Sequence, residues 1–262
     1  MQKTKIEWCD YTINCFWGCE NGCSYCQARS MAKRFGRRIG TARKYTQDII
    51  EHMAKFEPVF LPDQLSRIAK IKEPSRIFIS FMGDAFADNY SHECLDLVFR
   101  WVNTHKQHTF IFLTKQPQNL IEWNPFPDNC WVGVSATDNE MAFNASCNLI
   151  SVQAKVKFIS FEPLLGHIGK AVLDLLTNSK GINWIICGQQ TPVSRKTQPK
   201  IEWIYDILQA ANKARIPVFL KDNLRSLLPN REPFRIPIRW REPPGVTMME
   251  NVLRQEFPNL TV

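Results

Sequence analysis

Four cysteines lie close together near the N-terminus, Cys15, Cys19, Cys23 and Cys26, and the last three are spaced C-x3-C-x2-C within N-C-F-W-G-C-E-N-G-C-S-Y-C-Q-A-R. Three thiolates on one short loop can hold three corners of an iron–sulfur cube. Protein-bound cubes usually take four cysteines, so a loop supplying three leaves one iron open to a ligand that is not protein. Gly18 and the Asn21-Gly22 pair permit sharp turns, because glycine and asparagine tolerate positive φ, and the thiolates can then converge. Cys26 opens the run Gln27 to Phe35, which reads as a helix. A cluster on this loop therefore lies near a helix N-terminus, where backbone N–H groups favour negative charge.

The same cysteines admit a structural zinc site, in which Cys15 completes a set of four, C-x3-C-x3-C-x2-C. Zinc takes four ligands in a closed tetrahedron, more often from two separated C-x2-C knuckles, and no second knuckle exists here. Cys9, Cys94, Cys130, Cys147 and Cys187 are scattered singly. Nine cysteines, an odd count in a chain of this size, argue against a disulfide framework.

The cysteine loop resembles that of radical S-adenosylmethionine (SAM) enzymes, including the aromatic Tyr25 just before the last cysteine. The segments T-K-I-E-W, F-I-F-L-T-K-Q-P, W-V-G-V-S-A-T-D, F-I-S-F-E-P-L-L-G and V-F-L-K-D extend the likeness. Together they resemble a phage-associated, radical-SAM-like family of unknown function, over Thr4 to Asn223. The loop is also similar to that of spore photoproduct lyase-like radical SAM proteins, with a glycine-cysteine lead-in and Y-C followed soon by A-R. This resemblance implies a [4Fe-4S] cluster on Cys19, Cys23 and Cys26, whose open iron binds SAM. Reductive cleavage of the sulfonium then gives methionine and a 5′-deoxyadenosyl radical that abstracts hydrogen from a substrate. It further implies that the backbone of Tyr25 lies near the adenine and Gly83-Asp84 near the SAM amino group. Thr114, Lys115 and Ser135 become further cofactor contacts, Lys115 and Ser135 on the ribose or carboxylate side. The partner such chemistry needs is a low-potential electron donor such as flavodoxin or ferredoxin. Two features depart from the phage-associated pattern. Its members usually have a longer gap between the first two cysteines and a tyrosine after the last, where this chain has three residues and Gln27. They also tend to a glycine-rich turn with an acid where this chain has Cys187-Gly188-Gln189-Gln190, which leaves the substrate open.

The elements that must position these groups are legible from residue 76 onward, where short apolar runs alternate with helical stretches. The strands expected are Arg76–Met82, Thr109–Thr114, Cys130–Ser135, Val156–Phe161, Asn183–Cys187 and Ile216–Leu220. Runs such as I-F-I-S-F, F-I-F-L-T and W-I-I-C, nearly continuous in apolar residues, suggest strands covered on both faces, as in parallel sheets. Helices are expected over His92–Thr104, Asn139–Ser151, Ala171–Thr177 and Glu202–Ala214, and an earlier one over Asp63–Ile71. With an initial strand leading into the cysteine loop, six or seven β/α units predict an α/β fold. The architecture is a partial or full TIM-like barrel with a C-terminal cap; a doubly wound open sheet is the competing one. Residues 1–222 read as the barrel core and 223–262 as a cap or lid, ending in a helix over Thr247–Phe257.

In such barrels functional side chains sit at the C-terminal ends of strands. Successive strand ends here carry Gly83-Asp84, Thr114-Lys115, Ser135, Glu162, Cys187 and Lys221. Gly83 lets backbone approach a ligand, and Asp84 can accept from an ammonium group or cap a turn. Glu162 and Lys221 are candidates for gripping substrate charge, Glu162 with the alternative of being fixed by a neighbouring base. Cys187 is a candidate hydrogen donor to a product radical, or a small buried hydrophobe.

The chain has 262 residues and a net charge of +8. Seven basic residues and no acid fall between Arg29 and Lys44, leaving 26 basic against 25 acidic elsewhere. That block suits the phosphates of a nucleotide or nucleic-acid substrate, an acidic electron-donor protein, or plain solvation. The polar N-terminus and the lack of an apolar run near the ~20 residues of a membrane span predict a cytoplasmic protein. The reading that results is a radical SAM enzyme of unknown substrate. Its rivals are a photolyase-like or nucleotide- or nucleic-acid-modifying enzyme of the same chemistry and a zinc-stabilised binding protein without catalysis.

Overall fold

A computed structural model describes residues 3–178, 181–229, 233–242 and 246–258. The chain forms two compact units, residues 1–134 with 151–157, and residues 135–150 with 158–262. In chain order the elements are β1 (Tyr11–Ile13), β2 (Phe16–Trp17), α1 (Gln27–Ala42), α2 (Gln47–Lys55), β3 (Val59–Phe60), β4 (Arg76–Ile79), α3 (His92–Thr104), β5 (Thr109–Thr114) and β6 (Cys130–Ser135). They continue as α4 (Asn139–Ser151), β7 (Val156–Phe161), α5 (Lys170–Asn178), β8 (Trp184–Cys187), α6 (Ile201–Ala214), β9 (Val218–Leu220), β10 (Arg235–Glu242) and β11 (Val246–Leu253).

Seven strands form one sheet in the order β1-β4-β5-β6-β7-β8-β9. Within the first unit β1 pairs β4, β4 pairs β5 and β5 pairs β6, all parallel. In the second, β7 pairs β8 and β8 pairs β9, also parallel. The order rises along the chain with no reversal, so the winding is that of a barrel and not of a doubly wound sheet, which needs a switch point. Apolar runs form these strands because both faces are covered: every residue of β6, and all of β7 but Lys157, is buried. Phe110, Phe112, Phe158, Phe161, Trp184 and Phe219 are among the largest fully buried side chains.

The strands β5, β6 and β7 and the helices α3 and α4 match the sequence expectation. Elsewhere the structure differs. The strand expected to reach Met82 stops at Ile79, because Ser80 takes a left-handed φ of 106° that breaks the ladder. Helix α1 runs past Phe35 to Ala42: Ala28, Ala32, Gly36 and Gly40 form a buried small-residue stripe that lets α2 approach. A Cβ on Gly36 would lie 2.7 Å from the Met53 carbonyl oxygen. The helix expected over Asp63–Ile71 is a 3₁₀ helix, Pro62–Lys70.

The helix expected over Thr247–Phe257 is instead β11, antiparallel to β10 in a register from Arg235↔Leu253 to Glu242↔Val246. The chain then continues along β9: Leu220 N–H donates to the Arg254 carbonyl at 2.8 Å, and Glu256 N–H to that of Val218 at 3.0 Å. A short apolar run does not distinguish strand from helix by periodicity alone; here a ladder partner distant in sequence decides. Residues 254–256 thereby cover the edge of β9. Among the described residues no helix is long and apolar enough to cross a membrane.

Candidate active site

The cysteine loop lies between β2 and α1. Gly18 and Gly22 hold positive φ, 88° and 68°, as the sequence required of a sharply turning loop. Cys19, Cys23 and Cys26 are all partly exposed, whereas Cys15 is fully buried. Cys26 is the N-cap of α1, and its sulfur accepts the Arg29 backbone N–H at 3.3 Å. The sulfur of Cys19 accepts the Asn21 backbone N–H at 3.4 Å. Burial pushes the Cys19 thiol up to about 11, with the nearby Asp84 carboxylate adding to the effect and the Asn21 N–H opposing it. Cys15 behaves differently. Its sulfur lies 3.8 Å from the Ser80 hydroxyl, and burial pushes its thiol up to about 12. It is a neutral core thiol turned toward the sheet.

Asp84, at the end of the segment following β4, is buried at 5% exposure and organises the surroundings of the loop. Its Oδ2 accepts the Lys115 backbone N–H at 2.9 Å and the Asn21 side-chain amide at 3.1 Å. Its Oδ1 accepts the Phe86 N–H at 3.2 Å. Gln116 Nε2 donates to Asn21 Oδ1 at 2.9 Å, and the Gln116 N–H donates to Thr114 Oγ1 at 2.9 Å. Lys115 extends its ammonium over the Tyr25 ring, 6.0 Å from the centroid. The structure therefore brings together Cys19, Cys23, Tyr25, Cys26, Asp84, Thr114 and Lys115. Asn21 and Gln116, which join them, were missed in the sequence: an amide inside a turn reads as turn chemistry, and its partner lies 95 positions away.

Gly83 serves the chain itself. A Cβ there would lie 2.8 Å from the Phe16 carbonyl oxygen and 3.0 Å from that of Gly18. The Gly18 N–H donates to Met82 O at 2.8 Å, and Gly18 and Gly83 form a parallel bridge. Tyr90 adds its hydroxyl as donor to the Trp17 and Gly18 carbonyls at 2.9 and 2.8 Å.

In the second unit, the ends of β7, β8 and β9 carry Glu162, Cys187 and Lys221. Glu162 and Lys221 form an ion pair with side chains 24% and 13% exposed, so the two groups expected to grip charge first hold each other. The pair lies over Gly188, where a Cβ would come 3.0 Å from Lys221 Cδ and 3.2 Å from Glu162 Cγ. Cys187 is fully buried, and burial pushes its thiol up to about 12. Asn223 accepts the Gln189 N–H at 3.2 Å and donates to the Gln189 carbonyl at 2.8 Å. Among the described residues, the buried Gln189 Oε1 and Ser160 Oγ have no hydrogen-bond partner. Ser135, at the end of β6, is buried.

Among the described residues no group of three or more His, Cys, Asp or Glu side chains is gathered as around a single metal ion. The loop presents three partly exposed thiols, and two of them accept backbone N–H groups, hydrogen bonds of the kind that tune an iron–sulfur cluster.

The chain belongs to the family described as protein of unknown function (DUF5131), whose model matches residues 3–225. In fold it is similar to a spore photoproduct lyase point mutant, with a TM-score of 0.50 and 12% identity over 96% of this chain and 71% of that one. A lyase mutant with bound AdoMet and dinucleoside spore photoproduct matches at TM-score 0.47 and 13% identity over 96% and 71%. The lyase complexed with dinucleoside spore photoproduct matches at 0.45 and 11% over 95% and 70%. At these identities the likeness is one of fold: a parallel β/α partial barrel like that of spore photoproduct lyase. A comparison with curated proteins finds no match.

Proposed function

We propose that this protein is a radical SAM enzyme in which Cys19, Cys23 and Cys26 hold a [4Fe-4S] cluster. The observation that carries the reading is the division among the four clustered cysteines. Three are partly exposed on one loop at the N-terminus of α1, and the fourth, Cys15, is a buried neutral thiol beside Ser80. A four-sulfur zinc site would need Cys15 to leave the core and ionise; a cluster with one open iron needs only the other three.

When bound, the cluster and SAM supply one-electron cleavage of a sulfonium and hydrogen-atom abstraction from a substrate, chemistry that belongs to the cofactors. The chain contributes binding and orientation. Backbone N–H groups of Asn21 and Arg29 stabilise negative charge on two of the sulfurs. Asp84 uses three of its roughly four acceptor positions on the protein and keeps one for the SAM ammonium. Lys115, over Tyr25, offers a cation to the SAM carboxylate. Glu162 and Lys221 are the candidates for substrate charge, and Cys187 for returning a hydrogen atom.

Anaerobic reconstitution with iron and sulfide, followed by SAM and dithionite, tests this reading. The expected results are a brown protein and 5′-deoxyadenosine in the products. A colourless protein that binds zinc through Cys15, or a cluster whose spectrum ignores SAM, overturns it.

A further inference from the structure

The small-residue stripe of α1 is buried against α2, so the other side of the helix is presented to solvent, and that side is cationic. Lys33, Arg34, Arg37 and Arg38 are all exposed there, with Arg43 and Lys44 following the helix. Of these cations Arg37 is paired with Glu51 of the neighbouring α2, whose other acid, Asp48, faces His52, so the charge of Lys33, Arg34 and Arg38 is not offset by α2. With 3.6 residues per turn, Gln27, Met31, Arg34 and Arg38 fall on one stripe. Met31 is 37% exposed, an apolar spot among the cations.

We infer that this face of α1 is the docking surface for a small acidic protein that delivers single electrons. The inference rests on the cluster reading above. Three observations favour a protein over a nucleic acid. The helix starts at the cluster loop: at 1.5 Å per residue Met31 stands about 7.5 Å and Arg38 about 18 Å along the axis from Cys26. A bound donor is thereby held close to the electron's destination. An exposed methionine on a stripe that continues into Arg34 and Arg38 matches a protein interface, with an apolar centre and a charged rim. Phe35, the aromatic on this helix, has the Arg34 and Arg38 guanidinium groups over its ring at 4.9 and 5.0 Å, so it offers no open face on which a base could stack. In the transfer itself the reduced donor loses one electron and the cluster gains it. No bond forms or breaks.

The test compares full-length wild type with Lys33→Glu/Arg34→Glu/Arg38→Glu, using flavodoxin and ferredoxin as donor probes. Binding of each oxidised probe is measured at low and high salt, on protein with and without cluster. SAM cleavage is then driven in parallel by dithionite and by each reduced probe. The expected result is salt-sensitive binding by the wild type. The variant should bind at least about tenfold more weakly and lose donor-driven cleavage in proportion, with dithionite-driven cleavage retained. Arg34→Glu and Arg38→Glu singly should give intermediate losses, which covers misfolding of the triple variant. Equal binding by wild type and variant, or none by the wild type at low salt, overturns the inference. So does an oligonucleotide whose salt-dependent binding, and not the donor's, is lost in the variant. Failure of the cluster reading looks different: dithionite then yields no 5′-deoxyadenosine from wild type, while the binding measurement still decides the surface.

Discussion

Asn21 Nδ2 donates to Asp84 Oδ2 at 3.1 Å, joining residues 63 positions apart. The bond fixes the middle of the cysteine loop to the segment after β4, and Asp84 passes the constraint to β5 through the Lys115 N–H. Asn21 also sends its own N–H to Cys19, so the orientation of one ligand sulfur depends on a carboxylate that touches none of the sulfurs.

Replacing Asp84 by asparagine keeps the shape but turns one acceptor into a donor, which then faces an N–H it cannot satisfy. The expected cost is about 1–3 kcal/mol, seen as a lower melting temperature, together with fewer iron atoms retained per chain after reconstitution. Asn21→Ala should lower iron retention with a smaller effect on melting. An Asp84→Asn protein that melts and loads iron like wild type removes Asp84 from this role.

The four clustered cysteines should separate by substitution. Cys15→Ala removes a buried group that contacts Ser80 and should cost about 1–2 kcal/mol, while the reconstituted protein keeps its visible absorption. Alanine at Cys19, Cys23 or Cys26 should abolish that absorption. Without metal Cys23→Ala should be nearly as stable as wild type, since its side chain is partly exposed, whereas Cys26→Ala should lose about 1 kcal/mol with the N-cap of α1. Loss of metal in Cys15→Ala alone points to zinc.

Much of this site could be read from the chain because its signals are local. The cysteine spacing, Gly18, Gly22 and the helix after Cys26 lie within one short segment, and each constrains its own backbone. Strands such as β6 were legible because being buried on both faces leaves a continuous apolar run. What was not legible depends on partners far along the chain. Nothing near Ser80 announces its left-handed backbone, and nothing near 247–257 tells that it lies beside 235–242 and then β9. Gly83 shows the same limit: the sequence marks a close approach, but only the fold reveals Phe16 and Gly18 as what approaches.

Gly83→Ala should therefore act as an overpacking mutation at the junction of the cysteine loop with β4. A Cβ 2.8 Å from a backbone carbonyl cannot be relieved by a rotamer change, and the expected cost is about 1–3 kcal/mol. Gly22→Ala is the comparison, since its Cβ meets nothing closer than 3.8 Å and the substitution pays only for positive φ, roughly 1 kcal/mol. Equal melting temperatures for the two would show that the junction yields.

The Glu162–Lys221 pair is suited to a double-mutant cycle. Removing either partner leaves a mostly buried charge alone, so Glu162→Gln and Lys221→Met should each destabilise by about 1–3 kcal/mol, and the double variant by less than their sum. If the pair also meets substrate, turnover should fall further than stability in all three. Additive losses would mean that the two groups do not depend on each other.

Asp10 should govern part of the acid sensitivity of the fold. Burial raises its carboxyl, but the Arg76 backbone N–H at 2.9 Å and the Arg76 guanidinium outweigh that and hold it below the ordinary carboxylate range. The Asp10 N–H in turn donates to the Arg76 carbonyl at 2.8 Å, so the residue pins β1 beside β4. In the unfolded chain the carboxyl titrates near about 3.9. Between that value and the lower folded one, the unfolded state binds a proton that the native state does not, and acid favours unfolding. The contribution is complete at neutral pH and is lost as pH falls through the folded value. Asp10→Asn should be less stable than wild type at neutral pH, with the difference shrinking as the urea midpoint is followed from about pH 6 to about pH 3. A difference that stays constant across this range would show that the carboxylate charge on Asp10 does not hold β1 in place.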